Sequence, residues 1–279
     1  MIVGIIGLGS IGIRHAKNLL AMGHEVVFYD PAKPDSLADE AECISLADAV
    51  VIASPSIAHS KHVEMCAESG KPMLVEKPIS VSMDDWTRDA IANSIVMTAN
   101  NCRYHPVVKV VKERMWELVG PYTSAWFVLK QRNTKYTDPV VLNWGAHEVD
   151  LALYLLGKMS KVESAKCSQN EASMILRGAA GRQLVHVNLD YLAEPWERCF
   201  TIHGPDASIH ADLENFVVHI YSRQGREIIA VEGSHEQTYV DEMKEFIRRV
   251  DGKPSDGIGA TGEEGLACLK LLLEAQKCS

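Results

Sequence analysis

The chain has no Cys-x-x-Cys pair, no basic stripe, no internal repeat, no low-complexity segment and no apolar run long enough to span a bilayer. Each absence removes a class of function. Its seven cysteines, Cys43, Cys66, Cys102, Cys167, Cys199, Cys268 and Cys278, are odd in number and scattered, against a disulfide framework or a zinc site of paired thiols. They read as small buried apolar residues, with Cys102 set apart because it falls among candidate site residues. A net charge of −9 without clustered Lys and Arg excludes nucleic acid as a partner. The N-terminus opens on an apolar strand, Met1 to Ile6, with no basic leader, so the expectation is a cytoplasmic protein with no membrane partner. What remains is 279 residues, 47% hydrophobic and 23% charged, enough for two globular domains.

The first thirty residues carry the densest signal. An apolar run, Ile2 to Ile6, meets Gly7-Leu8-Gly9-Ser10-Ile11-Gly12, then a helical stretch from about Ile13 to Met22, then Val26-Val27-Phe28-Tyr29 closing on Asp30. Strand, glycine turn, helix, strand and acid form the mononucleotide half of a dinucleotide-binding fold. Gly7 serves the tight turn, Gly9 lets the backbone approach a pyrophosphate, and Gly12 lets the helix pack on the sheet. The helix N-terminus presents N–H groups and its positive dipole end to phosphates. Asp30, eighteen residues past Gly12, accepts both ribose hydroxyls and repels a 2′-phosphate, so NAD is favoured, with NADP admitted by Lys33 nearby.

Further along, Ala49 to Ala53 is an unbroken apolar run, as in a strand covered on both faces. Helices over Ala58 to Ser69 and Met83 to Ala92 alternate with strands Pro72 to Val75 and Ile95 to Ala99, which implies a doubly wound parallel sheet with its ligand outside the carboxyl ends of the strands. After helix Val107 to Leu118 and Gly120-Pro121 the pattern changes. Strands are expected at Thr123 to Lys130, Val162 to Gln169, Gln183 to Leu192, Arg198 to His203, Phe216 to Tyr221 and Glu227 to Val231, with helix Glu148 to Leu156 between the first two and two closing helices, Gln237 to Val250 and Gly262 to Gln276. The alternation Val185-His186-Val187-Asn188-Leu189 marks a sheet with one wet or interface-facing side. The fold class is α/β: a doubly wound parallel sheet over residues 1–119, then an α+β domain over 120–279 with a large, mostly antiparallel open sheet. The C-terminal helix is placed to pack back on the first domain.

Three groups at strand ends or loop junctions could do chemistry. Lys77, in Glu76-Lys77-Pro78, can polarise or protonate a carbonyl oxygen. Arg103, in Asn101-Cys102-Arg103-Tyr104, can hold a carboxylate or sugar hydroxyls, or stand solvated in a helix-entry loop. In Asn143-Trp144-Gly145-Ala146-His147-Glu148-Val149-Asp150, residues 147 and 150 share a helix face, and 143 joins 147 if the helix already begins there. His147 can take a proton from a hydroxyl as hydride leaves, or serve as a capping or core histidine.

The order of the glycine loop, Ser54-Pro55 with His59, Glu76-Lys77-Pro78, Asn101 to Pro106 and a His-x-x-Asp opening a helix resembles the glucose-fructose oxidoreductase / inositol dehydrogenase / MocA family over residues 1 to about 157. The resemblance implies a Rossmann domain and NAD-dependent hydride transfer at a secondary alcohol or ketone of a sugar, sugar derivative or cyclic polyol. It implies that Lys77, before a cis Pro78, is catalytic, that His147 is the general acid/base, and that Ser54, Pro55, His59, Glu76 and Asn101 line the nicotinamide ribose. Arg103, Lys130 and Asn143 would position substrate, and Asp150 would brace the His147 helix. Dehydrogenases of the family usually carry Asp where this chain has Asn143, and the passage between Lys130 and Asn143 is short. Two further readings stay open: a reductase of a tetrapyrrole or imine, and a catalytically weak nucleotide-bound sensor or assembly protein. The open sheet is expected to pair into a homodimer or homotetramer.

Overall fold

The computed structural model describes residues 1–132 and 137–278. In chain order the elements are β1 (Ile2–Ile6), α1 (Ser10–Ala21), β2 (Glu25–Tyr29), α2 (Glu40–Leu46), β3 (Ala49–Ile52), α3 (His59–Glu68), β4 (Met73–Glu76), α4 (Asp85–Ala92), β5 (Val96–Ala99), α5 (Pro106–Leu118), β6 (Ser124–Lys130) and α6 (Val140–Leu156). Then follow β7 (Met159–Cys167), β8 (Glu171–Gly178), β9 (Leu184–Asp190), β10 (Glu197–His203), β11 (Ala207–Asp212), β12 (Val217–Ser222), β13 (Gly225–Ala230), α7 (His235–Val250), β14 (Ala260–Thr261) and α8 (Gly262–Lys277). Two compact units result. One holds residues 1–101 and 236–269; the other holds 102–235 and the chain from Lys270 onward. The sequence division at 119/120 therefore differs from this one, in which α5 goes with the second unit and α7 and the first part of α8 with the first.

The first unit is built on a sheet ordered β14-β5-β4-β3-β1-β2, parallel except for the short β14. Its central strands are apolar throughout because both faces are covered: every residue of β3 is buried, and Met73, Leu74 and Val75 of β4 are fully so. Each such side chain contributes roughly 1.5–3 kcal/mol of apolar burial. Strand order reverses between β1 and β3, so the carboxyl ends of these two strands flank the crevice where a doubly wound sheet takes its ligand. Short helices are fixed by acids at their N-caps: Asp39 accepts from Glu42 N–H and Asp84 from Thr87 N–H.

The second unit is an eight-stranded sheet ordered β13-β12-β11-β10-β6-β9-β8-β7, antiparallel apart from the β6–β9 pair. Its strands alternate: Val185, Val187 and Leu189 of β9 are buried while His186, Asn188 and Asp190 face outward. Helix α6 packs on the buried face against β6, β8 and β9. Five elements differ from the sequence reading, the short β14 among them. β8 and β11 were not expected, nor was α2, and α6 begins at Val140 instead of Glu148. Pro139, at the N-cap of α6, and the β-branched pair Val140-Val141 look strand-like in isolation, but the helix is buried on nearly every side and packing overrides that preference. Among the described residues no helix is long and apolar enough to cross a membrane.

His105 marks a load on the second unit. It is buried at the start of α5, accepts Val107 N–H on Nδ1, and packs against Phe216 and His235 at ring-centroid distances of 4.7 and 5.1 Å. Burial first, then the charges of His235 and Arg198, push its pKa from 6.5 down to about 3. The unfolded chain thus binds the proton more readily. Stability is fully present above about pH 6.5 and is lost as pH falls toward 3, by up to about 1.4 kcal/mol per pH unit. Thermal melts between pH 7 and 4 should show His105→Gln with a shallower loss of midpoint on acidification than the parent chain. An unchanged slope would contradict this assignment.

Candidate active site

The first unit offers a nucleotide cradle. Gly7 leaves β1 at φ +94°, and a Cβ there would lie 2.6 Å from Ser54 N and 2.7 Å from Ala53 O. Only glycine fits such a turn. A Cβ on Gly12 would lie 2.0 Å from Gly7 O, so the helix is seated directly on the turn. At Gly9 the same Cβ would meet no protein atom within 4 Å. Protein packing does not demand glycine there, whereas a phosphate drawn close to the backbone does. Helix α1 has no side-chain N-cap and no acid in its first turn, so the N–H groups around Ser10 and Ile11 keep their pull on an anion. Asp30 fixes the far side: Oδ2 accepts Leu8 N–H at 2.7 Å and Oδ1 accepts Ala32 N–H at 2.9 Å. Each oxygen retains a lone pair for a ribose hydroxyl. The residues therefore fit NAD.

At the end of β4, Glu76 is buried and its Oε1 lies 2.8 Å from His15 Nε2 on α1. Burial pushes the Glu76 carboxyl up, but the His15 hydrogen bond and the charges of His15, Lys77 and His59 outweigh it and hold the group below the ordinary carboxylate range. An ionised acceptor requires His15 Nε2 to donate. Lys77 is half-buried and its bond to Pro78 is cis. His59 does not stand open as a lining residue: it is buried, with Nδ1 2.8 Å from Pro78 O and Nε2 2.9 Å from Ser54 O, and so ties the β3 and β4 end loops together. Ser54 Oγ in turn pairs with His62 Nδ1 at 2.9 Å, and Pro55 is exposed. Asn101 donates to Thr238 Oγ1 at 2.9 Å, while the neighbouring Asn100 is buried with Oδ1 lacking a partner among the described residues. His15 and Asn100 are additions to the expected set. Sequence spacing gave no sign of Asn100, whereas His15 lies one helical turn beyond Gly12.

In the second unit α6 starts early enough for Asn143 and His147 to share a face. Asn143 Nδ2 donates to Tyr191 Oη at 2.8 Å, and Tyr191 meets the Trp144 ring edge-on at 4.4 Å. Asp150 is buried and grips Arg103 with both oxygens, Nε to Oδ2 at 2.8 Å and Nη2 to Oδ1 at 2.7 Å. Glu148, also buried, accepts from Arg198 Nη2 at 2.8 Å and Nε at 3.1 Å. Burial pushes Glu148 up against the pull of Arg198; burial also opposes the Arg198 charge, but Cys102 and Glu148 hold that guanidinium above its ordinary value. Neither arginine is a solvated side chain, and Arg103, expected to hold substrate, spends its planar fork on Asp150. Asp150 thus ties α6 to the turn before α5.

Lys130 lies apart from these residues. The pleat that buries Phe127 and Leu129 under α6 turns Lys130 to the opposite face, where Nζ is 3.7 Å from Glu197 Oε2 and the residue lines a polar cavity of about 310 Å³ with Lys166, Asn188 and Asp190. A substrate-positioning role beside His147 is thereby corrected, since a strand residue and its neighbour project to opposite faces. Of the short passage before Asn143, residues 133–136 lie outside the described residues. Among the described residues no cluster of His, Cys, Asp and Glu is arranged to hold a metal.

Residues 1–90 match the family model described as an oxidoreductase family with an NAD-binding Rossmann fold. The myo-inositol 2-dehydrogenase of Thermotoga maritima is 24% identical, with 99% of this chain and 96% of the relative aligned. Among solved structures, UDP-N-acetylglucosamine 3-dehydrogenase from Acidithiobacillus ferrooxidans superposes with TM-score 0.88 at 17% identity, covering 100% of this chain and 97% of that one. A levoglucosan dehydrogenase complex with NADH and levoglucosan does so with TM-score 0.83 at 20% identity, covering 100% and 98%. Fold, cradle and family model define an NAD-binding Rossmann oxidoreductase. Within that class residues 1–90 carry the NAD-binding domain of the oxidoreductase family, and the whole chain shares the fold of the dehydrogenases just named.

The glycines separate folding from binding. Gly12→Ala should destabilise the chain by about 3 kcal/mol or more, because backbone cannot yield. Gly9→Ala should melt like the parent yet bind NADH about tenfold or more weakly, since its methyl enters only the phosphate approach. Melting curves and NADH fluorescence titration check both; a Gly9→Ala variant with parental affinity would contradict the cradle.

Proposed function

We propose that the chain is a cytoplasmic NAD(H)-dependent oxidoreductase that oxidises a secondary alcohol, or reduces the ketone, of a sugar, sugar derivative or cyclic polyol. The observation that carries the reading is the contrast on α6: Asn143, Glu148 and Asp150 are buried, the two carboxylates on arginines, while His147 is half-buried with Nδ1 close to a neighbour and its helix anchored from both sides. Such pairing spares the imidazole the task of balancing a buried charge and leaves it for proton exchange. The names of the relatives, which concern myo-inositol, levoglucosan and UDP-N-acetylglucosamine, support a cyclic polyhydroxylated substrate.

When bound, NAD supplies a hydride acceptor at nicotinamide C4. In oxidation the substrate C–H bond breaks as hydride departs, the hydroxyl proton passes to His147, and the carbon–oxygen double bond forms; reduction runs these steps in reverse. Lys77 stabilises the developing alkoxide with its ammonium group. Asn143 orients a hydroxyl through its amide, which neither takes up nor releases a proton, so His147 alone among α6 residues handles proton traffic. Asp30 favours NAD over NADP by repelling a 2′-phosphate, and reliance on a coenzyme held inside cells supports the cytoplasmic reading. Asn143 is also the observation that favours the sensor reading, in which the nucleotide binds without turnover.

A second copy of the chain is proposed to cover the outer face of the eight-stranded sheet. Direct cross-strand neighbours form one row without Asp, Glu, Lys or Arg over all eight strands, from Ser164 on β7 through His186, Trp126, His210 and His219 to Ile228 on β13. Trp126 stacks on His186 at 4.7 Å, and Ile228 is 56% exposed. A stripe of rings, hydroxyls and aliphatic side chains of this kind suits a self-complementary interface. Trp126→Glu should convert a dimer or tetramer to monomers in sedimentation; a parent chain that is already monomeric would overturn the proposal.

Absorbance at the NADH band over a panel of myo-inositol, scyllo-inositol, levoglucosan and UDP-N-acetylglucosamine tests the activity. Lys77→Ala and His147→Asn are expected to lower kcat by about 10²-fold or more while NADH still binds. Full activity in either variant removes that residue from the mechanism. Tight NADH binding with no turnover on any polyol or ketone would favour the sensor.

A further inference from the structure

The Cys102 thiol sits among polar groups. It is buried in the turn Asn101–Tyr104 with Arg198 Nη2 3.0 Å from Sγ and His147 Nδ1 3.5 Å from Sγ. Arg198 reaches it from β10 and is fixed there by Glu148 on α6. Three separate segments thus converge on one sulfur. Burial pushes the thiol up, against the pull of the Arg198 charge, so the sulfur remains protonated at neutral pH.

A guanidinium only donates, so Arg198 occupies a sulfur lone pair and cannot receive the thiol hydrogen. The contact with Nδ1 then has two forms: the thiol donates to Nδ1, or Nδ1–H donates to sulfur. They differ in function. A neutral imidazole that takes a proton at Nε2 must already carry hydrogen on Nδ1, and the imidazolium it becomes carries hydrogen there as well. An accepting sulfur therefore keeps the same hydrogen bond in both states, whereas a donating thiol would have to turn away during each cycle.

We propose that Cys102 is a positioning residue for His147: its sulfur, held between Arg198 and the imidazole, accepts Nδ1–H and so directs proton exchange through Nε2. This rests on the acid–base role proposed for His147. Arg198 on β10 and Glu148 and Asp150 on α6 are the charged groups that act on the Cys102 thiol, and the carboxylates pair with Arg198 and Arg103 as described above. The role differs from that of a buried apolar cysteine, because it depends on a lone pair in one place and not on volume.

The decisive measurement is long-range ¹H–¹⁵N correlation spectroscopy of the imidazoles in the full chain, with the His147 signals assigned by their loss in His147→Asn. The neutral ring of the parent should carry its hydrogen on Nδ1, and Cys102→Ala should shift it toward the Nε2–H form that an unconstrained histidine side chain prefers. In turnover with NAD⁺ and the polyol that reacts fastest in the panel above, Cys102→Ala should lose about tenfold in kcat, less than the ~10²-fold of the acid–base group itself, with KM for NAD⁺ unchanged. Cys102→Ser, which restores an acceptor, should recover part of that loss. An Nε2–H ring in the parent, read without any variant, overturns the proposal, as does Cys102→Ala with parental tautomer and kcat. Full turnover in His147→Asn would instead sink the acid–base reading, whatever the tautomer shows. Loss of turnover in His147→Asn beside an indifferent Cys102→Ala would sink the positioning role alone.

Discussion

The constraint on which the first unit depends is the approach of backbone to backbone around Gly7. The turn leaves β1 with no room for a Cβ against the end of β3, and α1 comes down on the carbonyl of that same turn at Gly12. This contact sits at the reversal of strand order, so one packing requirement fixes both the crevice and the direction in which the helix dipole points. The Leu8 N–H, oriented by the turn, holds Asp30 at the edge of the crevice, and His15, carried by the seated helix, reaches Glu76 beside Lys77. Shape, anion affinity and the placement of Glu76 follow from a single close approach.

The second unit solves a different problem, the burial of charge. Helix α6 carries two carboxylates into an apolar layer, where an unpaired ion would cost several kcal/mol. Each receives an arginine, Asp150 from the loop before α5 and Glu148 from β10. Pairing of this kind adds little net stability, since desolvation consumes most of the attraction. Its effect is geometric: the helix is fixed against rotation about its axis, and His147 is presented with a defined neighbour on Nδ1. The amide of Asn143 belongs to the same arrangement, bonded to Tyr191 instead of adding a third acid to the helix.

Much of the first unit is legible from the chain because its determinants are local. Three glycines and an acid at set intervals need only one strand, one turn and one helix to act, and the structure seats Gly7 and Gly12 in the close approaches that their spacing indicates. The second unit is less legible for the opposite reason. Arg198 reaches Glu148 and Cys102 across separations of 50 and 96 residues, and nothing near it in sequence distinguishes it from a surface arginine. Arg103 looked like a substrate clamp until its partner, 47 residues away, was in view. The start of α6 was hidden by β-branched residues that tertiary burial turns into helix, and β11 by its small residues, Ala207, Ser208 and Ala211, which alternate too weakly to stand out. Lys130 was misread because its chemical type suggested the site while pleat parity sends it to the other face.

Calorimetric titration of the purified chain with NADH and with NADPH tests the central claim most directly, because it needs neither a substrate nor a variant. Binding of NADH, about tenfold or more tighter than NADPH, corresponding to ~1.4 kcal/mol of discrimination by Asp30, is the expected result. Absence of binding to either nucleotide, or a preference for NADPH, would contradict it.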